Sequence, residues 1–83
     1  MIKYFNIFAN NDSVSVRITE EVRDKMKKVG ALYCEDEKEA DLIFCIGGDG
    51  ALLRLLRQYD FPEAPIVGIN TGHLGFFQEI TVD

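Results

Sequence analysis

The sequence predicts an α/β fold, a parallel sheet with flanking helices. Three observations carry this. Short apolar runs alternate with segments of helical periodicity, the pattern of strand–helix–strand units. Two of the runs, 42–46 and 66–69, are apolar almost without interruption, as suits strands covered on both faces. Each of these two opens at its carboxyl end into a glycine-punctuated loop carrying polar groups.

Residues 3–9 (KYFNIFA) form the first expected strand, with Tyr4, Phe5, Ile7 and Phe8 as its apolar content. Asn10, Asn11 and Asp12 make the turn, and Ser13 is the expected N-cap of a helix reaching to about Val29. Ile18, Val22, Met26 and Val29 recur at spacings of four, four and three, which is one helical face. Glu20, Glu21 and Asp24 precede Lys25, Lys27 and Lys28, the order that the helix dipole favours. Gly30 ends the helix. A short strand over 31–34 follows, then an acidic surface connection over 35–41. After the 42–46 strand, a second helix is expected over 51–59, with Leu52, Leu53, Leu55 and Leu56 inward and Arg54 and Arg57 outward, on a solvated face or within reach of a phosphate. Pro62 and Pro65 bracket the approach to the 66–69 strand. Two helices are few for a parallel sheet, so one face is expected to keep exposed apolar surface.

The chain has 83 residues and reads as one α/β domain, 1–83. Its net charge of −5, with acids spread along the chain, argues against nucleic acid or an anionic membrane as partner. No apolar run approaches membrane-spanning length, and no signal peptide is expected. Cys34 and Cys45 lie on apolar segments without metal spacing, as reduced thiols of a cytoplasmic protein would.

The most informative stretch is Cys45-Ile46-Gly47-Gly48-Asp49-Gly50-Ala51-Leu52-Leu53, a strand that breaks into glycines and then starts a helix. Gly47, Gly48 and Gly50 let a backbone approach a phosphate, and the helix start offers N–H groups to it. Asp49 adds a carboxylate, suited to a metal, a ribose hydroxyl or a proton. The same motif is also compatible with a tight turn whose aspartate caps the helix. It is neither the dinucleotide fingerprint nor the P-loop.

A second motif lies about twenty residues on: Gly68-Ile69-Asn70-Thr71-Gly72-His73-Leu74-Gly75-Phe76. In open parallel sheets, ligands sit beyond the carboxyl ends of strands, so the two loops are expected to converge on one crevice. The pair GGDG and GINTGxLGF, in this order, resembles the NAD kinases, which phosphorylate NAD to NADP with ATP. The resemblance covers nearly the whole chain, from the first strand to Ile80. Phosphofructokinases and diacylglycerol-type lipid kinases share GGDG but are not known for the second motif.

The resemblance implies a Rossmann-like N-terminal domain, with the following β-rich domain missing and the chain truncated before it. It implies NAD and ATP as substrates, a divalent cation (Mg) accompanying ATP, no metal ligand set within this chain, and a homo-oligomer for the full-length enzyme. It implies that Asp49 orients the ribose 2′-hydroxyl of NAD and accepts its proton. The nucleotide-binding residues it implies are Gly47, Gly48, Asp49, Gly50, Asn70, Thr71, His73 and Phe76. Phe76 would stack on or wall off the dinucleotide, and His73 would touch a phosphate. Ala51 stands where the family usually has Thr, removing a hydroxyl from the helix start. The family's later Asn-Glu or Asn-Asp motif lies beyond Asp83, so the 83-residue chain is expected to be inactive alone. The alternatives are another GGDG-containing kinase, of lipid or sugar, or a non-catalytic nucleotide-binding or regulatory module. A receiver-like module fits poorly, because no lysine follows Phe44 at a later strand end.

Overall fold

In the computed structural model, which describes residues 2–71 and 79–82, strand and helix alternate as the periodicity requires. The elements are β1 (Tyr4–Ala9), α1 (Ser13–Lys28), β2 (Leu32–Tyr33), a short 3₁₀ turn (Glu37–Glu39), β3 (Leu42–Gly47), α2 (Ala51–Gln58), β4 (Ile66–Asn70) and β5 (Glu79–Val82). One five-stranded sheet has the order β2-β1-β3-β4-β5. The first four strands are mutually parallel, and β5 pairs antiparallel with β4. The sequence pattern predicts no such antiparallel edge strand; it comes after the second glycine motif in the chain and lies alongside β4.

Register divides the apolar residues between two faces. Asn6 lies opposite Ile43 and Ile43 opposite Ile66, so these three share a face, and Phe8 and Cys45 continue it. On this side Leu55 and Ala51 of α2 close a core with Ile43, Cys45 and Ile66. Tyr59, the C-cap of α2, packs edge-on against Phe8 with ring centroids 5.4 Å apart. Its hydroxyl donates to Oδ1 of the buried Asn6 at 2.8 Å. Asn6 Nδ2 in turn donates to the carbonyls of Cys34 and Glu35. One buried amide therefore ties β1 to α2 and to the segment after β2.

The opposite face carries Phe5, Leu42, Phe44, Val67, Ile46 and Ile69. Phe5 meets Tyr33 and Phe44 in edge-on contacts, and Arg23 of α1 stacks over Tyr33 at 4.2 Å. This places α1 on that side, where it buries Ile18. Phe44, Val67 and Ile69, toward β4, stay partly exposed on this face.

Four local details depart from expectation. The N-cap of α1 is Asp12, not Ser13: its carboxylate accepts from the N–H and hydroxyl of Ser15. Val29 is the C-cap and is 76% exposed, so only Ile18, Val22 and Met26 of the expected stripe face inward. After it Gly30 takes φ +85°, and the N–H groups of Gly30 and Ala31 bond back to Lys27 and Met26, closing a Schellman motif. The strand expected over 31–34 shrinks to two residues, and a 3₁₀ turn interrupts the acidic connection. Leu53 is exposed, because on an eight-residue helix the buried side is set by Ala51 and Leu55, four apart, and Leu53 projects away from both. Among the described residues no helix is long and apolar enough to cross a membrane.

Candidate functional site at the carboxyl edge of the sheet

Because β1, β3 and β4 run parallel, their carboxyl ends lie along one edge. The β3–β4 register runs from Ile43 opposite Ile66 to Gly47 opposite Asn70, so the two glycine loops begin side by side. The Thr71 N–H donates to the Gly47 carbonyl at 2.9 Å, extending the ladder one residue past β4. On the other flank of β3, the Asn10 N–H donates to the Ile46 carbonyl, also at 2.9 Å.

Gly47 is a glycine for a steric reason. A Cβ there would lie 2.6 Å from Asn10 Nδ2 and 2.8 Å from the Ala51 Cβ. The same construction at Gly48 meets nothing within 4 Å. Gly47 is thus set by packing of the chain on itself, whereas Gly48 leaves backbone open to the outside.

Asp49 is exposed at the tip of this loop. It does not cap α2: the N-cap position is Gly50, and no side chain bonds the helix start there. Its Oδ1 accepts instead from Asn70 Nδ2 at 3.3 Å. The two residues belong to the two separate motifs, and the bond joins them across the strand ends.

A cleft of about 120 Å³ lies between the first loop and the end of β4, lined by Gly47, Gly48, Asp49 and Leu52 on one side and Gly68 and Asn70 on the other. Pockets that enclose a whole small ligand usually measure roughly 300–1,000 Å³. This cleft has room for a phosphate or part of a sugar, not for a dinucleotide. A larger hollow of about 390 Å³, lined by Glu37, Lys38, Tyr59 and Glu63 among others, lies at the amino ends of β3 and β4, away from both motifs. Among the described residues no three His, Cys, Asp or Glu side chains converge as a metal site.

Thr71 is engaged inward: its hydroxyl hydrogen-bonds the hydroxyl of the fully buried Ser15 at 2.8 Å. Ser15 also donates to Asp12 Oδ1 at 2.8 Å. These bonds hold the Asp12 carboxyl below its ordinary value, the Ser15 hydroxyl contributing most and the Ser15 N–H next. The chain Asp12–Ser15–Thr71 fastens the start of α1 to the start of the second loop. Burial pushes the Cys45 thiol, on the cleft floor, up to about 11, against a smaller opposing effect of the Arg54 charge.

Of the expected site residues, Gly47, Gly48, Asp49, Gly50, Asn70 and Thr71 come together on this edge. His73 and Phe76 lie outside the described residues. The sequence pattern assigns Asn10 and Asp12 to a turn and Arg54 chiefly to a solvated face and gives Ser15 no role of its own, yet all four take part in the contacts of this edge. The spacing Asp12-x-x-Ser15 carried a local signal for the cap; nothing local in the sequence pairs Ser15 with Thr71 or Asn10 with Arg54.

Residues 5–83 match the family model described as the ATP-NAD kinase N-terminal domain. The chain is 47% identical over 81 residues to an NAD kinase of Finegoldia magna, covering 96% of this chain and 30% of that relative. It is 39% identical over 75 residues to an NAD kinase of Limosilactobacillus reuteri, covering 88% and 27%. To NAD kinase 1 of Halalkalibacterium halodurans it is 32% identical over 81 residues, covering 95% and 30%. The chain thus spans under a third of the length of these curated relatives. No solved structure matches it.

Proposed function

The chain belongs to the ATP-NAD kinase family, through that family's N-terminal domain, and from this membership we propose that it supplies one wall of an active site that phosphorylates NAD. The reaction is transfer of the γ-phosphoryl group of ATP to the 2′-hydroxyl of the adenosine ribose of NAD. Residues 1–83 form its N-terminal α/β nucleotide-binding part, and a β-rich domain completes the site. The small cleft supports this division, because it accommodates a portion of a dinucleotide only.

The observation that carries the reading is the Asn70–Asp49 contact between the two glycine motifs. It holds a carboxylate at the mouth of the cleft, free of any helix-capping duty. Asp49 accepts the proton of the 2′-hydroxyl as that oxygen forms its bond to the γ-phosphorus. The bond from the γ-phosphorus to the β–γ bridging oxygen breaks, and ADP leaves. Gly48 and Gly50 let phosphate oxygens approach backbone N–H groups. A divalent cation such as magnesium arrives with the phosphates of ATP. It would neutralise charge on the phosphate oxygens, and Asp49 is left to the ribose hydroxyl. Phe76 walls the dinucleotide and His73 contacts a phosphate. The enzyme works in the cytoplasm as a homo-oligomer, and the 83 residues alone are inactive.

The test is direct. The full-length enzyme, purified and incubated with ATP, magnesium and NAD, should form NADP. Absence of NADP, with phosphorylation of a lipid or sugar instead, would overturn the proposal in favour of another GGDG kinase.

A further inference from the structure

Ser15 stands in the first turn of α1 and is fully buried. All its polar atoms are engaged. Its N–H donates to Asp12 Oδ2 at 3.1 Å, and its carbonyl accepts from the Thr19 hydroxyl at 2.8 Å. Its own hydroxyl lies 2.8 Å from Asp12 Oδ1 and 2.8 Å from Thr71 Oγ1. A helix alone would favour alanine there, and a buried hydroxyl is tolerated only when it is paired. The Asp12 carboxylate already caps the helix through the Ser15 N–H. What the serine hydroxyl adds is the bond to Thr71.

The direction of this chain of hydrogen bonds is fixed. Asp12 is ionised near neutrality, because its contacts with Ser15 hold the carboxyl below its ordinary value, and a carboxylate only accepts. The single Ser15 proton goes to it. In the bond between the two hydroxyls Thr71 is therefore the donor. Thr71 spends its one hydroxyl proton inward and has none for a phosphate oxygen. Its backbone is pinned as well, since its N–H donates to the Gly47 carbonyl. Thr71 is thus clamped between β3 and α1. The residue before it, Asn70, donates to Asp49 Oδ1 at 3.3 Å, near the upper limit for such a bond. A shift of about 0.3 Å in the 70–71 backbone, away from Asp49, is enough to lose it.

We propose that Ser15 is a positioning residue of the candidate site: through the Thr71 hydroxyl it fixes the end of β4, from which Asn70 holds the Asp49 carboxylate. The consequence for phosphoryl transfer rests on the NAD kinase reading; the placement of Asn70 and Thr71 rests on the geometry alone. Ser15 is buried and acts through Thr71, and Thr71 serves to hold this corner.

The experiment compares Ser15→Ala, Thr71→Val, Thr71→Ser and the double variant Ser15→Ala/Thr71→Val in the full-length enzyme, assayed well below their thermal midpoints. Thr71→Val keeps the shape of the side chain and removes the donor; Thr71→Ser keeps the donor. Misplacing a reacting group by about 1 Å can cost about 10²-fold in rate, and a smaller displacement relayed through Thr71 and Asn70 should cost about tenfold. Ser15→Ala and Thr71→Val should each lower kcat by about that factor, with smaller changes in the KM values for NAD and ATP. Thr71→Ser should keep kcat within about threefold of wild type, because the hydroxyl donor remains. The double variant should fall no further than the lower single, since both substitutions remove the same bond. A residue that only stabilises the fold lowers the midpoint and leaves kcat unchanged. That result for Ser15→Ala overturns the inference, as do losses that multiply in the double variant or a Thr71→Ser that behaves like Thr71→Val. Where Thr71→Val fails to fold, Ser15→Ala and Thr71→Ser decide. Deuterium exchange of the Thr71 N–H needs no turnover and separates this failure from that of the kinase reading. It should be about tenfold faster in Ser15→Ala, while the Ile43 N–H, bonded to Pro65 at the other end of the same ladder, exchanges as in wild type. Faster exchange in an enzyme that forms no NADP sinks the kinase reading and keeps the placement. NADP formation with unchanged exchange sinks this inference alone.

Discussion

Asn70 donates its side-chain amide to Asp49 Oδ1 at 3.3 Å, a bond between the last residue of β4 and the tip of the loop after β3. The two are 21 residues apart in sequence and adjacent only because β3 and β4 run parallel in register. An antiparallel pairing would have put the two loops at opposite edges.

Replacing Asp49 by Asn keeps size and polarity and removes the basic carboxylate. If Asp49 takes the 2′-hydroxyl proton, phosphorylation by the full-length enzyme should fall by about 10²–10⁴-fold. NAD affinity should stay within about tenfold, on the order of 1.4 kcal/mol. Rate and binding measured together decide it: a near wild-type rate removes Asp49 from the chemistry, and a parallel collapse of both makes it a binding residue.

The two glycines that open the first loop should respond differently to alanine. At Gly47 a methyl group collides with Asn10 and Ala51, so Gly47→Ala should destabilise the fold by about 1–3 kcal/mol. At Gly48 the added carbon meets no protein atom, so stability should change little while nucleotide affinity drops. Urea midpoints and nucleotide titrations of both variants check this, and equal loss of stability would contradict it.

Tyr59→Phe removes the donor to a fully buried acceptor, Asn6 Oδ1. An orphaned buried polar atom costs about 1–3 kcal/mol, and the ring contact with Phe8 is kept. The variant should therefore fold with a lowered midpoint. An unchanged midpoint would mean that water replaces the phenol.

Acid should loosen the start of α1 and the start of β1. Asp12 is held below its ordinary value chiefly by the Ser15 hydroxyl, and Asp41 by the N–H groups of Tyr4 and then Lys3. A carboxyl whose folded value lies below its unfolded one stabilises the fold above the unfolded value, here about 3.8. That contribution disappears as pH falls through the lower, folded value. Denaturation followed between about pH 6 and about pH 2 should show an acid limb that is shallower in Asp12→Asn/Asp41→Asn. A limb of unchanged steepness would assign it to other groups.

Cys45 should resist thiol reagents in the native protein. Burial raises its thiol to about 11, so little thiolate exists near neutrality, and only 3% of the residue is exposed. Alkylation at mildly alkaline pH should be slow until denaturant is added. Rapid labelling of Cys45 in the native state would show that the cleft floor opens.

The residues themselves determined the alternation of strands and helices, the two glycine loops and the family, because each rests on local pattern. A five-residue apolar run before Gly-Gly and a helical stripe ending at Gly30 leave little choice of backbone. The second loop beyond Thr71 was read from its motif, and its geometry lies outside the described residues. Tertiary structure decided which polar residues meet. Whether Asp49 caps a helix or faces Asn70, and whether Leu53 is inside or out, depends on how α2 sits on the sheet. Ser15 meets Thr71 across 56 residues, Tyr59 meets Asn6 across 53, and Arg54 meets Asn10 across 44. Hydrogen bonds act over about 3 Å, so such pairs leave no periodic trace along the chain; only the folded backbone brings their partners within range.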